Sequence, residues 1–268
     1  MAIDKNTPEV WDKVYEKIIP KEEDEYFLEY HKRANLWKII KEKVISNFGS
    51  FKGIKSIEIG GGEAYDSLLF AMEGADVTVL DHSVNALKTT KILFERYGYN
   101  ANYILMDALK LNKELMSKFD VSMSYGTVEH FSGKNRIKIF QAHFDVLKES
   151  GITWICLPNK WNLPYRLWKF LSEKSNRWQF GEEHPFSRSE IRKIGKEVGQ
   201  EFEIIGGDLF FNHFQFGRRI RKLFGKSPDF NISKIRKQIK TPFDKYLSYE
   251  LAVFGKKSKY PINEGISE

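Results

Sequence analysis

Ser56-Ile57-Glu58-Ile59-Gly60-Gly61-Gly62-Glu63-Ala64 reads as an apolar strand running into a glycine turn and then a helix, with an acid two residues before the first glycine. Three successive glycines let the backbone turn sharply and approach a ligand closely, because no Cβ stands in the way. Working outward, Asp76-Val77-Thr78-Val79-Leu80-Asp81 is a second short strand ending in an acid. It falls about 20 residues past the glycines, the spacing at which a carboxylate meets ribose hydroxyls in a nucleotide-binding βαβ unit. A third strand, Asn102-Tyr103-Ile104-Leu105-Met106, ends at Asp107. Any one of these acids could be a helix cap or a turn residue. The ordered trio Glu58, Asp81 and Asp107 around a triple glycine instead predicts a ligand site on the carboxyl edge of one parallel sheet. An acid beside bare backbone suits a nucleoside that carries a positively charged amino-acid tail.

Strand and helix patterns alternate through the centre of the chain. Strands are expected near 55–60, 77–81, 102–106, 119–124 and 152–157, and helices near 64–73, 84–97 and 133–149. That alternation predicts an α/β fold with a parallel sheet and helices on both faces. Ser187 and Glu190 have capping-box spacing at the start of a further helix, Phe202-Glu203-Ile204-Ile205 begins another strand, and 249–254 supplies the last one. Ahead of the sheet, residues 1–50 look helical, with Val10, Trp11, Val14 and Tyr15 on one helix and Tyr26, Phe27, Tyr30, Leu36 and Trp37 on a second. This layer is expected to pack on the sheet, the alternative being a lid that uses Trp11 or Tyr15.

At this point the chain resembles the class I methyltransferases that use S-adenosylmethionine, over residues 50–210 and the strand near 249–255. The resemblance implies a Rossmann-like seven-stranded sheet, mostly parallel with an antiparallel last strand. It implies that Gly60, Gly61 and Gly62 pack against the methionine part of the cofactor, with Glu58 supporting the loop. Asp81 would hold the ribose hydroxyls and Asp107 the adenine amino group, with His82, Ala108 and Tyr125 completing the lining. The family often has a further glycine where this chain has Ala64, a change expected to be minor. The methyltransferase domain would span 51–257 with insertions at 158–186 and 209–246, leaving 258–268 as a tail. A nicotinamide dehydrogenase fits worse. The third glycine of its G-x-G-x-x-G fingerprint would fall on Tyr65, and Glu58 would repel a pyrophosphate.

Methyl transfer from a sulfonium is a direct displacement, so alignment of the reactants carries much of the catalysis. A base is needed only for an acceptor that is protonated at working pH. The candidate region is Ser124-Tyr125-Gly126-Thr127-Val128-Glu129-His130-Phe131, with His130 as base and Glu129 bracing the loop or touching substrate. This stretch is similar to an E-x-x-E-H cation site of ubiquinone-pathway and small-RNA methyltransferases, but Gly126 replaces its first acid, so no metal is expected. The acceptor pocket is assigned to the aromatic 158–186 insertion, with Asn159, Trp161, Tyr165 and His184 as contacts. Nucleobase amino-methylation and cytosine C5 chemistry lack their signature residues here.

Composition narrows the partners. The chain has 268 residues and a net charge of +7, yet between Arg218 and Lys240 nine basic residues face Asp229 alone, so the rest is near neutral. That basic stretch can pack with its charges in water, lie on an anionic membrane, or track RNA phosphates. Membrane contact ranks above RNA because no RNA-binding motif accompanies the charges. One cysteine, no signal region and no membrane-length apolar run lead to the expectation of a cytoplasmic protein with peripheral membrane contact as an extension. The expected activity is transfer of a methyl group to oxygen or nitrogen of a small or lipid-linked metabolite. An RNA methyltransferase and a non-catalytic cofactor-binding regulator are the alternatives.

Overall fold

A computed structural model describes residues 6–16, 18, 24–207, 209, 232 and 240–258. Strand β1 (Lys55–Ile59) lies at the centre of the first half of the sheet. It pairs in parallel with β2 (Asp76–Asp81) on one side and β4 (Phe119–Tyr125) on the other. β2 carries β3 (Asn102–Leu105), and β4 carries β5 (Leu147–Pro158), both in parallel. β7 (Glu250–Lys256) then inserts antiparallel between β5 and β6 (Phe202–Gly206). The seven strands run in the order β3-β2-β1-β4-β5-β7-β6.

Alternation along each strand sorts the core into two layers. Ile57 and Ile59 of β1 join the cluster containing Phe140 and Phe144 of α6 (Lys134–Asp145) and Ile191 and Ile194 of α8 (Arg188–Glu197). On the opposite face Val79, Met123 and Trp154 pack with Leu68 and Phe70 of α4 (Tyr65–Met72) and Leu93 and Phe94 of α5 (Val84–Arg96). Trp37, Ile40 and Val44 of α3 (Asn35–Phe48) cover that layer. Each of these fully buried side chains is worth roughly 1.5–3 kcal/mol. The same alternation turns Glu58, one residue out of phase with Ile57 and Ile59, under α4. A strand-end acid is thereby buried, at 1 % exposure.

Two expectations fail locally. The helix predicted through Trp37 breaks at Ala34 (φ −60°, ψ 138°), so α2 (Asp24–Arg33) and α3 are separate; no proline or glycine marks the break. The helix predicted over 133–149 stops at Asp145. Leu147 pairs with Phe119 and Lys148 donates to Asp120, and the β4–β5 register then slips before Val121 meets Ile152. Tertiary pairing thus claims residues whose local pattern also suits a helix. The Ser187 hydroxyl does accept from the Glu190 N–H, but the Glu190 carboxylate pairs with Arg136 rather than closing the box. The basic stretch 218–240 lies outside the described residues apart from Ile232 and Lys240. Among the described residues no helix is long and apolar enough to cross a membrane.

Candidate active site

The glycine turn closes at the carboxyl ends of β1 and β2. Gly60 and Gly62 adopt φ of +72° and +54°, and a Cβ on Gly60 would collide with Thr127. The Gly60 N–H donates to Leu80 O at 2.7 Å, and the Thr127 hydroxyl donates back to Gly60 O at 3.0 Å. Asp81 holds the turn from the neighbouring strand, accepting from Gly62 N–H at 3.1 Å and Ser83 N–H at 2.8 Å. Burial raises its carboxyl above the usual range against the pull of those N–H groups. Ala64, the family's frequent glycine position, takes a left-handed conformation (φ 53°, ψ 41°). The substitution is therefore a source of strain of about 1 kcal/mol rather than a neutral change.

Above this turn is a cavity of about 320 Å³. Glu58, Gly60, Gly61, Gly62, Asp81, His82, Asp107, Ala108 and Tyr125, the nine expected cofactor contacts, are each at its surface, and Leu80 and Met106 share the wall. Asp107 accepts from the Leu109 N–H at 2.9 Å and lies 3.3 Å from the Lys110 ammonium. The roof comes from the N-terminal helices. α1 (Pro8–Tyr15) places Trp11 and Tyr15 over the cavity, and the Tyr15 hydroxyl occupies the space a Cβ on Gly62 would need. α1 buries no residue completely. It is held instead by Asp12, which accepts from the Ser83 hydroxyl (2.6 Å) and the Asn85 N–H (3.0 Å). The packing expectation and the lid alternative thus meet in one helix that covers the mouth through hydrogen bonds.

Sequence reading missed a second wall. His31 of α2 and Asp66 of α4 line the cavity and meet at 2.7 Å between Nδ1 and Oδ2. Burial would pull the His31 pKa down, but the charge and hydrogen bond of Asp66 outweigh it and push the pKa up. The His31 ring stacks on Tyr65, centroids 5.3 Å apart. A histidine and an acid 35 positions apart on different helices carry no local motif. Back on the strand wall, Glu58 of β1 has its Oε2 buried without a hydrogen-bond partner, and burial pushes its carboxyl up to about 8. The Tyr125 hydroxyl is likewise buried and unpartnered.

The expected catalytic residues separate. His130 lines the cavity beside Trp11, rings 4.8 Å apart and nearly perpendicular. Its Nδ1 meets the Glu182 carbonyl at 2.8 Å, and burial pushes its pKa down to about 4 against the carbonyls of Glu182 and Gly126. It is neutral at ordinary pH but a feeble base. Glu129 does not line the cavity; it is 2 % exposed, and burial beside Glu183 raises its carboxyl far above the usual range. Its backbone carbonyl accepts the His184 N–H at 2.8 Å.

The four expected acceptor contacts also lie off this cavity. Asn159 is a correction: it is fully buried, its amide donates to the Tyr246 and Ser248 carbonyls, and its oxygen accepts the Trp161 N–H. With every polar atom committed to backbone it holds the loop. Tyr165 donates to Glu183 at 2.6 Å and is 6 % exposed, Trp161 points to solvent, and His184 lies 3.4 Å from Glu182. His143 is buried in the core with neither ring nitrogen partnered. Among the described residues no group of three or more metal-ligating side chains is placed to hold an ion.

The lining decides what fits. Five carboxyl groups, from Glu58, Glu63, Asp66, Asp81 and Asp107, face the cavity and no Lys or Arg does. Such a wall repels a pyrophosphate and attracts a cation, and two unpartnered polar atoms in it need a polar guest. A sulfonium nucleoside with an ammonium tail meets both demands; the pyrophosphate of a pyridine dinucleotide conflicts with the first.

Comparison with known proteins agrees. Residues 57–151 match the family described as a methyltransferase domain. The chain is 22% identical over 175 residues to the ubiquinone biosynthesis O-methyltransferase of Rickettsia prowazekii, covering 64% of this chain and 68% of that one. Its fold is similar to magnesium protoporphyrin IX methyltransferase of Synechocystis with bound SAH (TM-score 0.56, 12% identity, 93% of each chain). It is also similar to the 1,6-didemethyltoxoflavin-N1-methyltransferase of Burkholderia thailandensis with S-adenosylhomocysteine (TM-score 0.51, 11% identity, 84% of this chain and 79% of that one).

Proposed function

Starting from a chain that carries a class I, S-adenosylmethionine-dependent methyltransferase domain, we propose that it methylates an oxygen or nitrogen of a small or lipid-linked acceptor, with His31 taking the acceptor's proton. The observation that carries the second half is the His31–Asp66 contact at 2.7 Å on the cavity wall. An imidazole whose Nδ1–H is held by a carboxylate presents the lone pair of Nε2, and the carboxylate stabilises the cation formed when that nitrogen is protonated. His130 lacks any carboxylate behind it and is the weaker candidate.

Bound in the cavity, S-adenosylmethionine supplies an electrophilic methyl carbon on a cationic sulfur. Glu58 and the Tyr125 hydroxyl would hold the charged tail, and Asp81 and Asp107 would take hydroxyl and amino hydrogens. The roof of Trp11 and Tyr15 excludes water. Sheet order supports the division of labour: Asp81 ends β2 and Asp107 follows β3 by two residues, whereas Tyr125 ends β4, on the side toward β5 and β7. His31 lies on that second side, within the field of Glu250 at the start of β7.

The test uses methyl-labelled cofactor and extracts that contain metabolites and lipids. His31→Gln should lower label transfer about 100-fold or more while cofactor affinity, read by calorimetry, changes less than about threefold. Asp66→Asn should also slow transfer and move the rising limb of its pH profile to lower pH, because the carboxylate that raises the His31 pKa is gone. Unaltered transfer by His31→Gln sinks the base assignment; absence of transfer by every form, with cofactor still bound, returns the chain to the reading of a regulatory binding module.

A further inference from the structure

The 158–186 insertion carries a surface that the catalytic reading does not use. Helix α7 (Leu163–Lys174) buries Tyr165, Lys169 and Ser172 against the body. Its other face presents Leu163, Leu167, Phe170 and Leu171, at 73%, 57%, 54% and 55% exposure, as a single helical stripe. Trp161 extends the stripe at one end. The single-turn helix Asp244–Leu247 extends it sideways with Phe243, Tyr246 and Leu247, all exposed. The two segments adjoin because the Asn162 amide donates to Leu247 O at 2.8 Å and Asn159 to Tyr246 O at 2.8 Å. Of the large hydrophobic side chains left exposed among the described residues, most are concentrated here. Scattered exposed leucines are ordinary, but a continuous apolar face of this kind marks a docking surface.

Charge decides the occupant. Around the stripe Lys160, Arg166, Lys174 and Arg177 are exposed, whereas Lys169 is spent on Glu173 and the Trp178 ring. Lys240 and Lys245 flank the second segment, and its Asp244 is turned inward onto Thr241. A second copy of this face would bring the same cations together. The partner must be apolar in its interior and negative at its rim. The geometry points to an anionic phospholipid bilayer, with α7 lying in the interface plane, its leucines and phenylalanine in the acyl boundary and its basic residues at the head groups.

The placement also ties docking to the site. The same insertion ends at Glu182–His184, where the Glu182 carbonyl meets His130 and the His184 N–H meets Glu129, on the loop that walls the cavity. A face seated on lipid would bring the rim of the cavity to the membrane, so that a lipid-anchored acceptor could present its polar end. This deepens, and in its purpose rests on, the lipid-linked form of the proposed function; the docking itself does not depend on methyl transfer.

The experiment is co-sedimentation of the full chain with sucrose-loaded vesicles of phosphatidylcholine, alone or with phosphatidylglycerol. Calorimetric cofactor binding and melting temperature are measured on the same samples. Wild type should sediment with the anionic vesicles and stay in solution with the neutral ones. Leu167→Glu combined with Phe170→Glu should lose at least about tenfold in partitioning, with cofactor affinity and melting temperature retained. Failure of wild type to bind anionic vesicles, or equal binding by the variant, overturns the inference. A large fall in melting temperature would mean that the chain itself covers the face, and a change from dimer to monomer that a second copy does; either also overturns it. Loss of cofactor binding in wild type would instead count against the methyltransferase reading, so the two failures are distinct.

Discussion

The two walls of the cavity are built on opposite principles. The β1–β2–β3 wall takes its groups from strand ends and the turns just after them: Glu58, the glycines, Asp81 and Asp107. Each sits where a parallel sheet must place it, and each is braced by nearby backbone, as Asp81 is by Gly62 and Ser83. The opposite wall and roof come from Trp11, Tyr15 and His31, on helices that precede the sheet and reach it only through tertiary contacts. The first wall follows from the order of strands and turns; the second depends on how the preceding helices dock on them. The comparison teaches where to look for affinity and where for specificity.

Perturbing each wall should give different signatures. The largest effect is expected from Asp81→Ala, which removes a charged acceptor and unties the Gly62 N–H. Cofactor affinity measured by calorimetry should fall about 100-fold, two lost hydrogen bonds to a charged group at roughly 1.5 kcal/mol each. Undiminished binding would break the assignment of that wall. Next, Glu58→Gln should weaken the cofactor about tenfold yet stabilise the protein free of ligand at alkaline pH. The sign follows from linkage: a carboxyl held at about 8 in the folded chain and near 4.5 unfolded destabilises the fold progressively as pH rises through that interval. Chemical denaturation of the two forms at pH 6 and pH 9 should show the gap widening, by on the order of 2 kcal/mol at the higher pH.

Smaller effects are expected from the roof. Trp11→Ala should weaken the cofactor only about threefold and leave the melting temperature within about 2 °C, because α1 buries no residue fully and is held by Asp12. A large fall in melting temperature would show that α1 belongs to the core instead. Smallest of all, Ala64→Gly should raise stability by about 0.5 kcal/mol, the relief of a left-handed alanine set against the loss of a buried methyl group. Equilibrium denaturation distinguishes that gain from the loss expected if packing dominated.

Legibility followed the same division. The strand–turn–helix at 56–64 and the acids at 81 and 107 were readable because the signal and the contact are both local: a strand end fixes where the next residue lies. The aromatic insertion is visible in the sequence, but which of its side chains face the body is not. Helical spacing alone does not say which stripe faces the protein, and Tyr165 turned inward while Leu171 turned out. The partners of Asn159 are hidden from the sequence for a similar reason. Its place beyond β5 was correct, but only the folded chain brings the Tyr246 and Ser248 carbonyls to its amide.

From its residues alone the chain committed itself to a parallel sheet, a glycine turn and a carboxylate edge, because periodicity, turn chemistry and strand-end acids act over a few neighbouring positions. Folding decided which of two histidines has an acid behind it, that Glu58 is buried beneath α4 without a full set of partners, and that one face of α7 is left to solvent. Those outcomes depend on distances between segments far apart in the chain, and pairing across such distances is set by the packed core rather than by any short stretch of sequence.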